Sequence, residues 1–248
     1  PLLKRGVPTF IEKPVSDQLG ALNALCELAE RSGATTLVGY QFRHYEPLQF
    51  VRHLVESDVV GTPLAARASV GMYLPDWRPG NDYRQSASAL RDMGGGAILE
   101  LSHEIDYMRW VLGAETRRVV CLARRTSSLE IDVEDTAEIL LDFESGVIGS
   151  VHMDMIRRDP SRTLEIISSN GTITWSWEDH AVRWTDGEES NEKLYDIDRN
   201  HMYRRQMAHF LDCIRGSKAV IDVEDAAMSN RVALAALRSS DSEQWELP

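Results

Sequence analysis

Residues 135–155 read DTAEILLDFESGVIGSVHMDM, and this stretch decides the fold class. Apolar and polar side chains alternate on both sides of Glu144-Ser145-Gly146, a triplet that suits a tight turn. Alternation with a period of two places one face of a strand against a core and the other toward water. The stretch therefore predicts two antiparallel strands, 135–143 and 147–156, joined as a hairpin.

This hairpin lies within a longer block of predicted strands. Turns at Asn170-Gly171 and Asp186-Gly187 separate further alternating runs. The additional strands are expected at 62–74, 117–126, 163–168, 172–177 and 181–185, and helices at 46–57, 97–112, 200–215 and 223–238. Strands gathered in one block with helices around them indicate an α+β domain, built on one open, mostly antiparallel sheet with helices on one face.

The first forty residues follow a different pattern. A short apolar strand at Val7 to Ile11 precedes a helix that Asp17 is expected to cap, and a second strand follows at Thr35 to Val38. This order implies a right-handed parallel crossover. A two-stranded parallel sheet expects neighbouring strands, so residues 1–39 are interpreted as the last β-α-β unit of a doubly wound domain, and residues 40–248 as the α+β domain.

Composition excludes several classes of partner. The chain has a net charge of −12, and its acidic and basic residues are scattered. Nucleic acid and anionic membranes are therefore not expected partners, because they require a clustered basic face. No apolar run approaches the roughly 20 residues of a membrane-spanning helix. Cys26, Cys121 and Cys213 are far apart, which favours free thiols and a cytoplasmic location.

The triplet Glu12-Lys13-Pro14 follows the first predicted strand. Ligands of open α/β sheets bind at the carboxyl ends of strands, so a lysine held there could exchange protons with a substrate. Pro14 restricts the backbone of Lys13 to extended conformations, and the peptide bond between them could be cis. The alternative is an ordinary charged turn at the end of a strand.

The helix predicted at 97–112 carries a second candidate. On a continuous helix, His103, Asp106 and Trp110 share a stripe that points away from the apolar one. Asp106 would then fix the tautomer of the imidazole, and His103 would act as a general base toward a hydroxyl group. The alternative is a solvated face with an ordinary ion pair. No metal site is expected, since no second histidine follows at helical spacing.

Two further segments are ambiguous. Trp77, Tyr83 and Arg84 lie in a loop predicted at 75–89, where an indole ring and a guanidinium would suit a sugar, although the loop could equally be structural. Gly94-Gly95-Gly96 is not a dinucleotide fingerprint, because Leu99 stands where the last glycine would be needed. No such fingerprint occurs elsewhere in the chain.

Taken in order, Glu12-Lys13-Pro14, Val38-Gly39-Tyr40-Gln41-Phe42-Arg43 and Gly94-Gly95-Gly96 followed by His103-Glu104-Ile105-Asp106 resemble the Gfo/Idh/MocA family. The family is named for glucose–fructose oxidoreductase and inositol dehydrogenase. The resemblance implies a Rossmann domain that binds NAD or NADP, followed by an α+β domain like the C-terminal domain of dihydrodipicolinate reductase. It also implies a homodimer or homotetramer assembled through the open face of the sheet.

The same resemblance assigns roles to particular residues. Lys13 corresponds to the active-site lysine, His103 to the acid/base, and the turn Glu12-Lys13-Pro14 borders the cofactor. The implied reaction is hydride transfer between nicotinamide and the hydroxyl-bearing carbon of a sugar, nucleotide sugar or cyclitol. Asp106, Trp77, Tyr83 and Arg84 complete the expected site, with Asp106 orienting the imidazole and the other three contacting the substrate.

Two departures from the family pattern matter. Many members carry an aspartate four residues before the histidine, where this chain has Leu99, and the adjacent Glu100 is expected to point off the His103 stripe. Most of the nucleotide-binding domain is expected to lie outside these residues, so they should bind cofactor weakly or not at all on their own. The departures leave open an alternative function, a non-catalytic protein that senses a ligand or binds a partner on the same scaffold.

Overall fold

The computed structural model describes residues 1–248 and contains two sheets. In the smaller sheet, β1 (Thr9–Ile11) pairs in parallel with β2 (Thr36–Val38), and α1 (Leu19–Ser32) connects them. The predicted β-α-β unit is present. Asp17 does not cap the helix, however, because α1 begins after Gln18, which makes no side-chain capping bond.

The larger sheet has eight strands in the order β10-β9-β8-β7-β3-β6-β5-β4. Its strands are β3 (Pro63–Gly71), β4 (Thr116–Arg124), β5 (Thr136–Phe143), β6 (Ile148–Asp154), β7 (Ser161–Ser168), β8 (Thr172–Ser176), β9 (Ala181–Thr185) and β10 (Ser190–Leu194). All neighbouring pairs are antiparallel except β3 and β6, which run in parallel. The predicted hairpin is formed by β5 and β6. The prediction of an α+β fold with an open, mostly antiparallel sheet is confirmed.

One strand of this sheet was not predicted. The edge strand β10 reads Ser-Asn-Glu-Lys-Leu and has no alternating apolar pattern. It is held by backbone pairing with β9 and by an ion pair in which Arg183 Nε lies 2.7 Å from Glu192 Oε1. A strand that is held by backbone pairing at a solvent-exposed edge does not need alternating apolar side chains, so a hydropathy pattern does not reveal it.

Helices cover one face of the larger sheet. They are α2 (Glu46–Glu56), α3 (Ala97–Glu100), α4 (His103–Leu112), α5 (His201–Ile214) and α6 (Val223–Ser242). Apolar side chains of β5 and β6 on the helix-covered face are buried, among them Ile139 and Val151, whereas Leu140 and Ile148 on the opposite face are exposed. Among these helices and α1, no segment has the length and apolar character needed to cross a membrane.

The helix predicted at 97–112 is interrupted. Leu101 and Ser102 separate α3 from α4 and leave the regular α-helical hydrogen-bond pattern. The apolar stripe survives, since Ile98, Ile105 and Met108 are all fully buried. The polar residues of α4 are buried as well, so the helix is enclosed on all sides rather than solvated on one face.

The smaller sheet is fastened to the rest of the chain by a hydrophobic cluster of its own. Leu37 and Val38 pack against Ile221 and Val223, and the Val38 amide donates to the Ile221 carbonyl at 3.1 Å. This contact holds the carboxyl end of β2 against the start of α6. The division of the chain at residue 39 stays a prediction.

Candidate active site

Lys13 lies just beyond the carboxyl end of β1, where its peptide bond to Pro14 is cis. The Lys13 Nζ donates to the backbone carbonyl of Glu100 at 2.6 Å and lies 3.4 Å from the carboxylate Oε2 of the same residue. Only 13% of the lysine side chain is exposed. The amine is therefore held against the end of α3 by two oxygens of one residue.

His103 is the first residue of α4 and is 6% exposed. The rings of Tyr40 and Phe42 meet the imidazole edge-on, with centroids 5.6 and 5.2 Å away. Burial lowers the pKa of His103 well below its ordinary value, and the charges of Lys13 and Arg162 lower it further. The imidazole is therefore neutral at physiological pH, which is the form that can accept a proton.

Lys13 and His103 lie close enough for the charge of the lysine to lower the pKa of the imidazole, and Lys13 is bonded to Glu100, three residues before the histidine. The sequence predicted a continuous helix, on which Glu100 would point away from His103. The interruption at Leu101 and Ser102 changes its direction. Leu99, in the position expected for an aspartate, is buried in the core.

A pocket opens beside the imidazole. The Gln41 amide Nε2 lies 3.3 Å from His103 Nε2 and 3.4 Å from the Tyr203 hydroxyl. We call the adjoining cavity of about 240 Å³ the Gln41 pocket. Its polar and aromatic lining includes Gln41, Arg162, Trp177, Glu178, Arg199 and Tyr203. Of these, only Gln41 belongs to a motif recognised in the sequence. The others lie on β7, in the β8–β9 turn, in the segment before α5 and on α5.

A sequence profile of the GFO/IDH/MocA C-terminal domain matches residues 48–174, just over half of the chain. This chain belongs to the Gfo/Idh/MocA family. It is 28% identical over 178 residues to D-apiose dehydrogenase of Rhizobium rhizogenes, covering 68% of this chain and 48% of that enzyme. It is 28% identical over 251 residues to the myo-inositol dehydrogenase Hyg17 of Streptomyces leeuwenhoekii. This match covers 97% of the present chain and 74% of that enzyme. The chain thus spans about half the length of the first relative.

Solved structures of similar fold agree with this membership. A putative oxidoreductase from Thermotoga maritima has a TM-score of 0.84 at 23% identity, over 99% of this chain and 74% of that one. An oxidoreductase from Agrobacterium radiobacter, solved with NAD⁺, L-tartaric acid and magnesium, has a TM-score of 0.82 at 22% identity, over 99% and 74%. At these identities the comparison establishes the fold.

In this Gfo/Idh/MocA chain, Asp106 does not orient the catalytic-site imidazole, and that expectation was wrong. The Asp106 carboxylate accepts from Arg43 Nε at 2.9 Å, from Arg43 Nη2 at 2.7 Å and from the Ser229 hydroxyl at 2.8 Å. His103 Nδ1 is buried without a hydrogen-bond partner. The spacing of three residues predicted that His103 and Asp106 would be neighbours on the helix. In the structure the Asp106 carboxylate instead accepts two hydrogen bonds from Arg43.

The loop predicted to contact substrate surrounds a different cavity. Trp77 Nε1 donates to the Met72 carbonyl at 2.9 Å, and the Tyr83 hydroxyl accepts from the Glu130 amide at 3.2 Å. Arg84 pairs with Asp82 at 2.8 Å. The cavity lined by Trp77 and Tyr83 measures about 400 Å³ and shares no lining residue with the Gln41 pocket. Trp77, Tyr83 and Arg84 are therefore not brought to His103.

The turn expected to border the cofactor is compact. The Glu12 carboxylate lies over Gly39, so close that a Cβ at residue 39 would be 2.7 Å from Glu12 Oε2. A side chain at residue 39 would therefore displace the Glu12 carboxylate. Glu12, Lys13 and Pro14 form a closed turn at the carboxyl edge of the small sheet, the edge where nucleotides bind in doubly wound folds.

Proposed function

We propose that the complete protein is a NAD(P)-dependent oxidoreductase that transfers a hydride between nicotinamide and the hydroxyl-bearing carbon of a sugar, nucleotide sugar or cyclitol. The observation that carries this proposal is the Lys13 amine acting on the neutral His103 imidazole, which contacts Gln41 in the wall of a polar pocket. Relatives named as D-apiose and myo-inositol dehydrogenases support the substrate class.

The residues present fit the nicotinamide end of the cofactor. The Glu12-Lys13-Pro14 turn offers an amine and a carboxylate at the carboxyl edge of β1, and Gly39 leaves room for the Glu12 carboxylate. When bound there, nicotinamide would accept or supply the hydride. No dinucleotide fingerprint occurs in these residues, so the side chains that select NAD or NADP are not among them.

The two site residues would divide the handling of the proton. During oxidation, His103 accepts the proton of the substrate hydroxyl, because burial keeps the imidazole neutral. Lys13 donates a hydrogen bond to the same oxygen and stabilises the negative charge that develops there. Glu100 positions Lys13 by accepting from its amine through both the backbone and the side chain.

Replacement of Glu100 by glutamine is expected to lower kcat of the full-length protein about 10-fold, the effect of weakening one hydrogen bond to a charged group. The loss should be moderate because the backbone carbonyl of residue 100 still holds Lys13. Steady-state rates of nicotinamide reduction would measure it. Glu27→Gln on the exposed face of α1 is the matched control. An unchanged kcat in Glu100→Gln would show that the Glu100 side chain does not position Lys13 for catalysis.

We also propose that the chain assembles as a homodimer or homotetramer through the open face of the larger sheet. Leu122, Leu140 and Ile148 project from this face, and Ile148 is 64% exposed. Apolar side chains gathered on one sheet face are typical of an interface between subunits. Leu140 and Ile148 are near neighbours across the β5–β6 pair.

The double variant Leu140→Asp/Ile148→Asp is expected to convert the oligomer to monomers, because it buries charge at the proposed interface. Light scattering coupled to gel filtration measures the mass directly. Leu247→Asp near the carboxyl terminus, equally exposed, should leave the mass unchanged. An oligomer that persists in the double variant would place the interface elsewhere.

A further inference from the structure

The charged residues that line the Gln41 pocket are two arginines, Arg162 and Arg199, and a single acid, Glu178. The whole chain carries a net charge of −12, so a predominantly cationic pocket is unusual for this molecule. Positive charge concentrated in a concave site attracts anionic ligands. The pocket adjoins the imidazole, since Gln41 contacts both.

Arg162 places a mostly buried positive charge in the wall of the Gln41 pocket. It lies near the start of β7 with only 17% of its side chain exposed, and its guanidinium stacks over the Phe42 ring at 4.6 Å from the centroid. Its one carboxylate partner is Glu104, whose Oε1 lies 2.7 Å from Arg162 Nε. The guanidinium lies between Phe42 and Glu104, and its terminal nitrogens form no hydrogen bond with another residue.

The two acids beside Arg162 leave its terminal nitrogens free. Glu104 is fully buried and lies at Arg162 Nε. Glu178 directs its Oε1 to the backbone amide of Arg162, at 2.9 Å, rather than to the guanidinium. A half-buried guanidinium with free terminal nitrogens suits a planar or tetrahedral anion that accepts two hydrogen bonds.

Arg199 adds a second cation at the same pocket. It forms no ion pair in the structure, because the neighbouring Asp198 pairs instead with Arg204, at 2.9 Å. The two arginines approach the pocket from different elements, β7 and the segment before α5. An anionic group entering between them would meet a mostly buried guanidinium on one side and one without an ion pair on the other.

We infer that the substrate is an anionic sugar or cyclitol derivative, whose carboxylate or phosphate group binds Arg162 and Arg199 while a hydroxyl group faces His103 and Lys13. This inference rests on the proposed function and narrows it to a substrate class. The aromatic ring of Trp177 in the same pocket supplies a flat apolar surface for the sugar ring. Carboxylate and phosphate share the required chemistry, and the experiment separates them.

The test uses the full-length protein with D-glucose, D-glucuronate, D-glucuronamide and D-glucose 6-phosphate, together with the corresponding galactose series. Turnover is followed by nicotinamide absorbance and binding by titration calorimetry. We expect the anionic form of the preferred sugar to exceed its neutral form by about 10-fold or more in kcat/KM and in affinity. The uronate and the 6-phosphate arms show which anion is recognised.

Arg162→Met and Arg199→Met should each bring the ratio of anionic to neutral kcat/KM toward one. Arg215→Met is the matched control, because Arg215 is exposed, lies outside the pocket and pairs with Asp212; it should keep the wild-type ratio. Higher salt should weaken the preference for the anion by screening.

The outcomes separate the two proposals. Equal use of neutral and anionic forms, or a preference that survives both substitutions, would overturn the inference and leave the oxidoreductase proposal standing. Arginine-dependent binding of the anion without turnover of any sugar would support the inference and count against hydride transfer. Absence of binding by every anionic sugar of the panel would overturn the inference.

Discussion

His103→Ala in the full-length protein is expected to lower kcat by about 10²- to 10⁴-fold, the usual contribution of a general acid/base. The buried imidazole is the one neutral base that the structure places beside Lys13 and the Gln41 pocket. Because burial lowers its pKa, the neutral form persists as pH falls below 6.5. The wild-type kcat/KM should therefore decline only when pH falls through this lowered pKa.

The His103→Ala variant should lose that acid limb of the pH profile, and added imidazole should restore part of the rate. His53→Ala, on the exposed side of α2, is the control and should behave like wild type. Circular dichroism would verify that both variants are folded. A variant that keeps the wild-type rate and the wild-type acid limb would show that His103 is not the base.

The second large effect concerns stability. Asp106→Ala should reduce the free energy of unfolding by about 3–5 kcal/mol, because it removes one partner of a buried ion pair. Arg43 is 2% exposed and bonds Asp106 through two nitrogens. Arg43 also pairs with Asp225, which Arg109 contacts at 2.9 Å. Burial acts to raise the pKa of Asp225, but its ion pairs with Arg43 and Arg109 lower it overall.

Urea unfolding monitored by fluorescence measures this loss. Asp212→Ala, which breaks an exposed pair with Arg215, should change stability by less than about 1 kcal/mol. The double variant Arg43→Met/Asp106→Leu should recover part of the loss, because it leaves no buried charge from this pair unmatched. If Asp106→Ala were as stable as wild type but nearly inactive, the catalytic role first expected for Asp106 would have to be reconsidered.

Much of the fold follows from local pattern. The period of two in β5 and β6 and the turn between them predicted the hairpin, since one face of each strand is buried and the other exposed. The parallel pairing of β3 with β6 could not be read from the sequence, because both strands bury alternate residues whichever way they run. β10 escaped notice because its side chains are polar and its stability comes from pairing.

The site was predictable only in part. Lys13 follows a predicted strand and His103 lies on a predicted helix, and in the structure the charge of Lys13 acts on the His103 imidazole. The roles of Glu100 and Asp106 were misjudged for one physical reason: the helical wheel assumed a continuous helix with a solvated polar face. The helix is interrupted before His103, and the buried Arg43 forms hydrogen bonds with the Asp106 carboxylate.

The pocket residues had no sequence signal of their own. Arg162, Trp177 and Arg199 are separated by more than ten positions each, and neither a motif nor a periodicity links them. They converge because β7 and β8 are neighbours in the sheet and the segment before α5 returns to the same edge. Such convergence is a property of topology, which single-sequence patterns do not encode.

The central claim is that Lys13 and His103 act on one substrate hydroxyl, and a double-mutant cycle on kcat tests it most directly. We expect Lys13→Ala/His103→Ala to be little slower than the slower single variant, because groups that act as a unit in one step are strongly non-additive. Single-variant losses that simply multiply in the double variant would show two independent groups and would contradict the account.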